Sequence, residues 1–175
     1  MEEGAKKMSV LIILRGNSAS GKTTTAHNLQ RQFAPGSALV ISQDLIRREM
    51  LQEKDRPRNK AIAFMRANAL LGKELCDIVI IEGITNRAIY RELFEDLAGQ
   101  FEAVYTYYFD LPYEETVKRH RQREKSAEFG EAALKSWWLE RDLLHFPGEK
   151  IIDQLMTEKE IVALILNDLE QKNNN

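Results

Sequence analysis

The chain has 175 residues, 43% of them hydrophobic and 30% charged, which fits one compact domain and excludes both a chain disordered throughout and two independent domains of ordinary size. Its 25 Lys and Arg against 27 Asp and Glu leave a formal net charge of −2, so no global basic field draws it onto nucleic acid, and any polyanion site must be a local patch. The one cysteine, Cys76, excludes an intrachain disulfide and points to a reducing, cytoplasmic setting. Residues 1–9 are expected to be flexible; they carry charges of both signs, and the apolar run at 10–14 is too short for a signal peptide. The longest uninterrupted apolar run, 161–166, falls far short of the ~20 residues a membrane-spanning helix needs, so no membrane partner is expected.

From residue 10 onward, short apolar runs alternate with helical stretches. Runs 10–14, 38–42, 78–81 and 104–109 are rich in β-branched or aromatic residues and read as strands buried on both faces, with a weaker fifth at Ile151 and Ile152. Between them the pattern predicts helices over 22–33, 45–51, 59–76, 87–98, 112–125 and 157–171. Helix 59–76 carries an apolar stripe of Phe64, Ala67, Leu71 and Leu75. The last helix opens with Thr157 and Glu160 in capping-box spacing and presents Ile161, Leu164, Ile165 and Leu169 on one face, so it should pack on the sheet. Strands separated by helices build a mainly parallel five-stranded sheet with helices on both faces. The expected organisation is a single domain over 10–171 and a frayed tail at 172–175.

The stretch Gly16, Asn17, Ser18, Ala19, Ser20, Gly21, Lys22, Thr23 fits GxxxxGK[ST], follows the first strand and opens a helix, which is the context that gives this motif meaning. Glycines at both ends let the backbone curl so that successive N–H groups face phosphate oxygens, and the helix adds the positive end of its dipole. These eight residues with Thr24 are the candidate ATP contacts. Lys22 would reach the β and γ phosphates, and the Thr23 hydroxyl would ligate Mg²⁺. No Asn-Lys-x-Asp sequence reads guanine, and the third strand ends in Glu82 without the Asp-Glu pair of many ATPases. A compact kinase remains.

At the end of the second strand stands Asp44, where carboxyl ends of neighbouring strands share one crevice. A carboxylate there takes the proton of an acceptor hydroxyl or helps hold Mg²⁺. The plainer alternative is an N-cap of the following helix. Arg47, one turn on, suits an anionic acceptor, whereas Arg48 reads as a solvated neighbour. Glu82 from the third strand would contact the acceptor or a Mg²⁺-bound water, its alternative being a loop carboxylate paired with Arg87; Thr85 is as good a candidate to cap the next helix as to touch ligand. A lid is expected over about 113–142. Within it Arg119 and Arg123 share a helix face and would neutralise charge on the transferring phosphate, against the alternative of a solvated face with a Glu115–Arg119 pair. Trp137, Trp138 and Arg141 would form the rest of the lid or a wall of the acceptor pocket, against the more frequent fate of such tryptophans, core or edge packing.

The GNSASGKT loop, the strand-end SQDLIR, the IIEGITNR turn and the arginine-rich helix together resemble the P-loop kinases of the zeta-toxin and polynucleotide-kinase-like group, small AAA-type kinases, over roughly residue 10 to the C-terminal helix. The resemblance implies a three-layer α/β P-loop NTPase fold with a helical lid. It implies ATP and Mg²⁺ held by Lys22 and Thr23, Asp44 as general base, Arg47 facing the acceptor, and Arg119 with Arg123 gripping the transferred phosphate. Glu82 is similar to the glutamate of the EGT turn with which zeta toxins contact a nucleotide-sugar, although Ile84 intervenes before Thr85. The expected activity is transfer of the γ phosphate of ATP to a hydroxyl of a small anionic acceptor, nucleotide or nucleotide-sugar-like. The runner-up is a polynucleotide 5′-hydroxyl kinase; from another class, a nucleotide-dependent binding module with little turnover.

Overall fold

The computed structural model describes residues 9–122 and 130–173. Of the flexible start expected at 1–9, residues 1–8 lie outside them and Ser9 is buried; Arg123 with the rest of the expected helix end at 123–125, and the last two residues of the expected tail, also lie outside them. Five strands, β1 (Val10–Gly16), β2 (Ala38–Ser42), β3 (Ile78–Gly83), β4 (Ala103–Phe109) and β5 (Lys150–Ile152), form one all-parallel sheet in the order β2-β3-β1-β4-β5. The helices are α1 (Lys22–Gln30), α2 (Lys60–Leu75), α3 (Arg87–Ala98), α4 (Tyr113–Arg121), α5 (Glu131–Ser136) and α6 (Glu158–Asn173). None of them is long and apolar enough to cross a membrane among the described residues.

Alternation along the buried central strand sorts the layers. Val10, Ile12 and Leu14 point into a core shared with Ala26 and Leu29 of α1 and Ile161, Val162 and Ile165 of α6. Leu11 and Ile13 point the other way, against Ala61, Met65 and Ala69 of α2 and Tyr90, Leu93, Phe94 and Leu97 of α3. The result is the expected α/β three-layer fold. At the start of α6 the capping box forms: Thr157 N–H donates to Glu160 Oε2 at 2.7 Å and Glu160 N–H donates back to Thr157 Oγ1 at 3.3 Å.

Two expectations are corrected. Residues 45–51 are not an α-helix: Leu45–Met50 is π-helical, with Leu51 N–H donating to Ile46 five residues back, a wide turn that frequently accompanies functional sites. And the stripe Phe64, Leu71 and Leu75 faces outward at 42%, 59% and 66% exposure. Helix α2 instead buries Ala61, Met65, Ala69 and Gly72, because it lies so close to the sheet that a Cβ on Gly72 would stand 2.5 Å from Leu39 Cδ2. Helix α5 was not expected from the sequence.

Parallel register sets the functional edge. Leu14 and Ser42 both align with Glu82, so the loops after β1, β2 and β3 leave the sheet side by side, where ligands bind in open α/β sheets.

Candidate functional site

The loop after β1 is wound by three residues of positive φ, Gly16 at 144°, Ala19 at 61° and Gly21 at 105°. Gly16 is fixed by contact as well as by φ, since a Cβ there would lie 2.6 Å from the Phe109 carbonyl oxygen. Lys22 is buried, and its Nζ donates to the Asn17 carbonyl at 2.7 Å and to Ser20 Oγ at 3.1 Å, so its ammonium is held inside the loop where phosphates would sit. Thr23 Oγ1 donates to Glu82 Oε2 at 3.0 Å. Residues 18–23 line a cavity of about 80 Å³ together with Asp44, Arg48, Glu82, Gly83, Ile84 and His120.

Asp44 does not cap the turn that follows it; its side chain makes no capping bond and instead accepts from Arg47 Nη2 at 3.0 Å. Arg47 also donates from Nη1 to the Glu53 carbonyl, while its buried Nε has no hydrogen-bond partner among the described residues. Both residues line a second cavity of about 490 Å³, with Arg48, Lys54, Asp55, Asn86, Trp137 and Leu139 among its walls. Ser18, Asp44, Arg48 and Ile84 line both cavities. Glu82 is buried against Thr23, while Arg87 pairs with Asp142 instead. Thr85 is not a cap: it is buried at φ 38°, and both its oxygens accept from Arg15, leaving Asn86 Oδ1 to cap α3 at Ala88 N–H.

Arg119 makes the ion pair with Glu115 and also touches the phosphate loop. Its Nε donates to Glu115 Oε1 at 2.7 Å, which holds that carboxyl below its usual range, and its Nη1 donates to the Ser20 carbonyl of the phosphate loop at 3.3 Å. It also borders a third cavity of about 340 Å³ with Ser20, Gly21, Thr24, Phe109 and residues 154–158. Arg141 is brought elsewhere: it pairs with Asp110 at 3.4 Å in a cavity that Asp44 does not reach. Trp138 packs edge-on against Tyr113 in that same cavity, so of the two tryptophans only Trp137 lines the cavity that Asp44 and Arg47 border.

Sequence reasoning missed the contacts that join this frame across long separations. Arg15, 1% exposed, donates to the Thr85 carbonyl at 2.8 Å and to Asp142 Oδ2 at 2.7 Å, and lies over the Tyr108 ring; burial pushes its guanidinium below its ordinary value, opposed by Asp142 and Glu149. Asn17 pairs with the Leu139 main chain. Tyr90, an apparent core residue, gathers Gln43, Asn59 and Asp55 about its hydroxyl. Arg48, expected to be solvated, and His120 line the phosphate cavity. Only the position of Arg48 beside Asp44 signalled it in sequence.

Among solved structures, a Chloroflexus aurantiacus protein described as a kinase superposes with a TM-score of 0.69 at 18% identity, over 95% of this chain and 99% of its own. The Mycobacterium tuberculosis APS kinase, solved with AMPPNP and APS, gives 0.67 at 16% over 93% and 98%. A gluconokinase from Sinorhizobium meliloti gives 0.62 at 13% over 95% and 97%. At these identities the likeness is one of fold. No curated protein sequence matches the chain. The AAA domain family does match, over residues 11–142, from the second residue of β1 through the phosphate loop, Asp44 and Arg119 to the Asp142 that Arg15 holds, and it is to this family that the chain belongs.

Proposed function

We propose that the protein is a phosphotransferase that moves the γ phosphate of ATP to a hydroxyl of a small anionic acceptor, nucleotide or nucleotide-sugar-like. The observation that carries this reading is the position of Asp44 on the shared wall of the phosphate cavity and the acceptor cavity. The phosphate cavity adjoins the third cavity through Ser20 and Gly21 and the acceptor cavity through Ser18 and Asp44. That arrangement suits a nucleoside on one side, its phosphates in the middle and an acceptor on the other.

In the reaction, Asp44 takes the proton of the acceptor hydroxyl as its oxygen bonds to the γ phosphorus, and the bond from that phosphorus to the bridging oxygen breaks to release ADP. Lys22, the loop N–H groups and Arg119 oppose the charge spread over the phosphoryl oxygens. Arg47 lines the acceptor cavity with one nitrogen on Asp44, which brings its guanidinium charge to an acceptor anion at the point where the base also acts. Lys54 and Arg48 add to that positive wall, and Trp137 offers a face for a base or sugar ring.

The donors available suit Mg²⁺. Among the described residues no group of three or more His, Cys, Asp and Glu side chains could hold a metal ion, and Mg²⁺ in phosphoryl-transfer sites takes few protein ligands, completing its shell with phosphates and water. Thr23, with Asp44 and Glu82 lining the same cavity, presents the oxygen donors such an ion uses. When bound it supplies charge neutralisation on the phosphates. Transfer from labelled ATP onto nucleotides, nucleotide-sugars, sugars and 5′-hydroxyl oligonucleotides tests the reading. Phosphorylation of a small anionic acceptor is expected; efficient oligonucleotide phosphorylation that falls steeply with salt, and no small acceptor used, would overturn it.

A further inference from the structure

One carboxamide fastens the wall of the acceptor cavity to the phosphate loop. Asn17, the second residue of that loop and 6% exposed, donates from Nδ2 to the Leu139 carbonyl at 2.8 Å and accepts at Oδ1 from the Leu139 N–H at 2.9 Å. Both main-chain groups of one residue are thus met by the two ends of one side-chain amide, a match that an acceptor-only carboxylate cannot make. Ser136, Trp137 and Leu139 line the acceptor cavity from this segment. Farther along, Asp142 is fixed independently: Arg15 Nη1 donates to its carbonyl at 2.6 Å, and its own N–H donates to the Tyr108 hydroxyl at 3.0 Å. At the other end of the same residue, the Asn17 carbonyl accepts from Lys22 Nζ.

We infer that Asn17 is a positioning residue of the acceptor site: its side chain sets where Trp137 and Leu139 stand, and its peptide passes the state of the phosphate loop to that wall. The inference rests on the nucleotide reading given above. When nucleotide phosphates fill the loop, Lys22 Nζ exchanges the Asn17 carbonyl for phosphate oxygens. The peptide released is the one whose side chain holds Leu139. Because Arg15 and Tyr108 pin Asp142, the adjustment falls on the stretch carrying Trp137 and leaves the far end of the segment in place. An acceptor packed on Trp137 then meets a wall aligned with an occupied donor loop.

Trp137 reports on this wall directly once Trp138, which packs on Tyr113 outside the cavity, is replaced, so every measurement uses the full chain carrying Trp138→Phe. ADP with Mg²⁺ is the probe; calorimetry follows its binding, and emission and acrylamide quenching follow Trp137. Saturating ADP is expected to shift Trp137 emission. Adding Asn17→Ala should raise the quenching constant by about twofold or more before any nucleotide is added, since two hydrogen bonds to the segment are lost. It should also abolish the ADP-induced shift, with ADP raised until calorimetry shows saturation whatever the affinity. Asn17→Asp keeps the bond from Leu139 N–H and loses the one to its carbonyl, so it should fall between, and it carries the test if the alanine variant does not fold. A residue that only stabilises the fold would lower the melting temperature and leave Trp137 quenching unchanged well below it. Wild-type quenching and ADP response in both Asn17 variants overturns the inference, as does ADP binding to the Trp138→Phe chain with no response of Trp137. If ADP does not bind at all, the nucleotide reading fails, and the quenching comparison alone decides the role of Asn17.

Discussion

The Asp44 carboxylate does no capping and has a half-exposed ion pair with Arg47, so its substitution separates chemistry from stability. Asp44→Asn should lower turnover by roughly two to four orders of magnitude, the range for loss of a general base, while the melting temperature barely moves because exposed pairs contribute at most about 1 kcal/mol. An unfolded variant with normal turnover per folded molecule would make Asp44 structural instead. Arg119 bridges Glu115 and the Ser20 carbonyl, and in the proposed reaction its charge acts where negative charge develops. Arg119→Ala should therefore reduce kcat more than it raises the KM for ATP; a loss confined to KM would assign it to ground-state binding. These residues were legible because each lies at a short, fixed offset from a strand end: Lys22, Thr23, Asp44, Arg47 and Glu82 could be placed from the sequence alone. Asn17 as a clasp was not, since its partner Leu139 is 122 residues away and a carboxamide that binds main chain leaves no mark on the partner's side-chain identity. Arg15 was hidden for a related reason: a charged residue ending an apolar strand reads as surface until Thr85 and Asp142 are folded over it.

At the scale of elements, the strands and most helices could be read because their composition and period follow from being buried on two faces or on one. The order β2-β3-β1-β4-β5 could not be read, because each of the apolar runs is an equally good neighbour for the others until helix packing chooses. The α2 stripe misled for a packing reason. Apolar size normally marks the buried face, but close approach of α2 to the sheet demands small residues, and Gly72 against Leu39 and Val79 decides which face turns inward. Close approach also governs the junction of β1 with the phosphate loop. Gly16→Ala would force a Cβ to 2.6 Å from a backbone oxygen of β4 at a φ of 144°, combining overpacking with backbone strain for roughly 3 kcal/mol. The melting temperature should fall by about 10 °C, and nucleotide-dependent thermal stabilisation should weaken with it because the loop is built from that residue. A variant as stable as wild type would mean that β1 and β4 separate readily at this point and that the close approach of Gly16 to Phe109 does not fix the loop.

For the whole molecule, two phenols tie opposite layers of the fold to its stability at high pH. On one side of the sheet Tyr90 donates to Asp55 Oδ1 at 2.7 Å and accepts from Gln43 and Asn59. On the other, Tyr107 donates to Asp168 Oδ2 at 2.7 Å, while Lys150 holds the second oxygen of that carboxylate at 2.6 Å. Burial, reinforced by the adjacent carboxylates, raises both phenols well above the ordinary tyrosine value. The sign follows from linkage. Above about pH 10 the unfolded chain releases these protons and the folded chain keeps them, so each phenol contributes full stability below that pH and loses about 1.4 kcal/mol for every further pH unit until its folded value is reached. Urea unfolding measured at intervals from about pH 8 to pH 11 should therefore give a steep alkaline decline for the wild type. Tyr90→Phe and Tyr107→Phe each cost about 1–3 kcal/mol near neutrality by stranding buried partners, yet each should flatten the decline, and the double variant should flatten it further because the two sites share no partner. Parallel curves for wild type and double variant would show that the phenols ionise within the fold, against the burial and the Asp55 and Asp168 contacts that disfavour it.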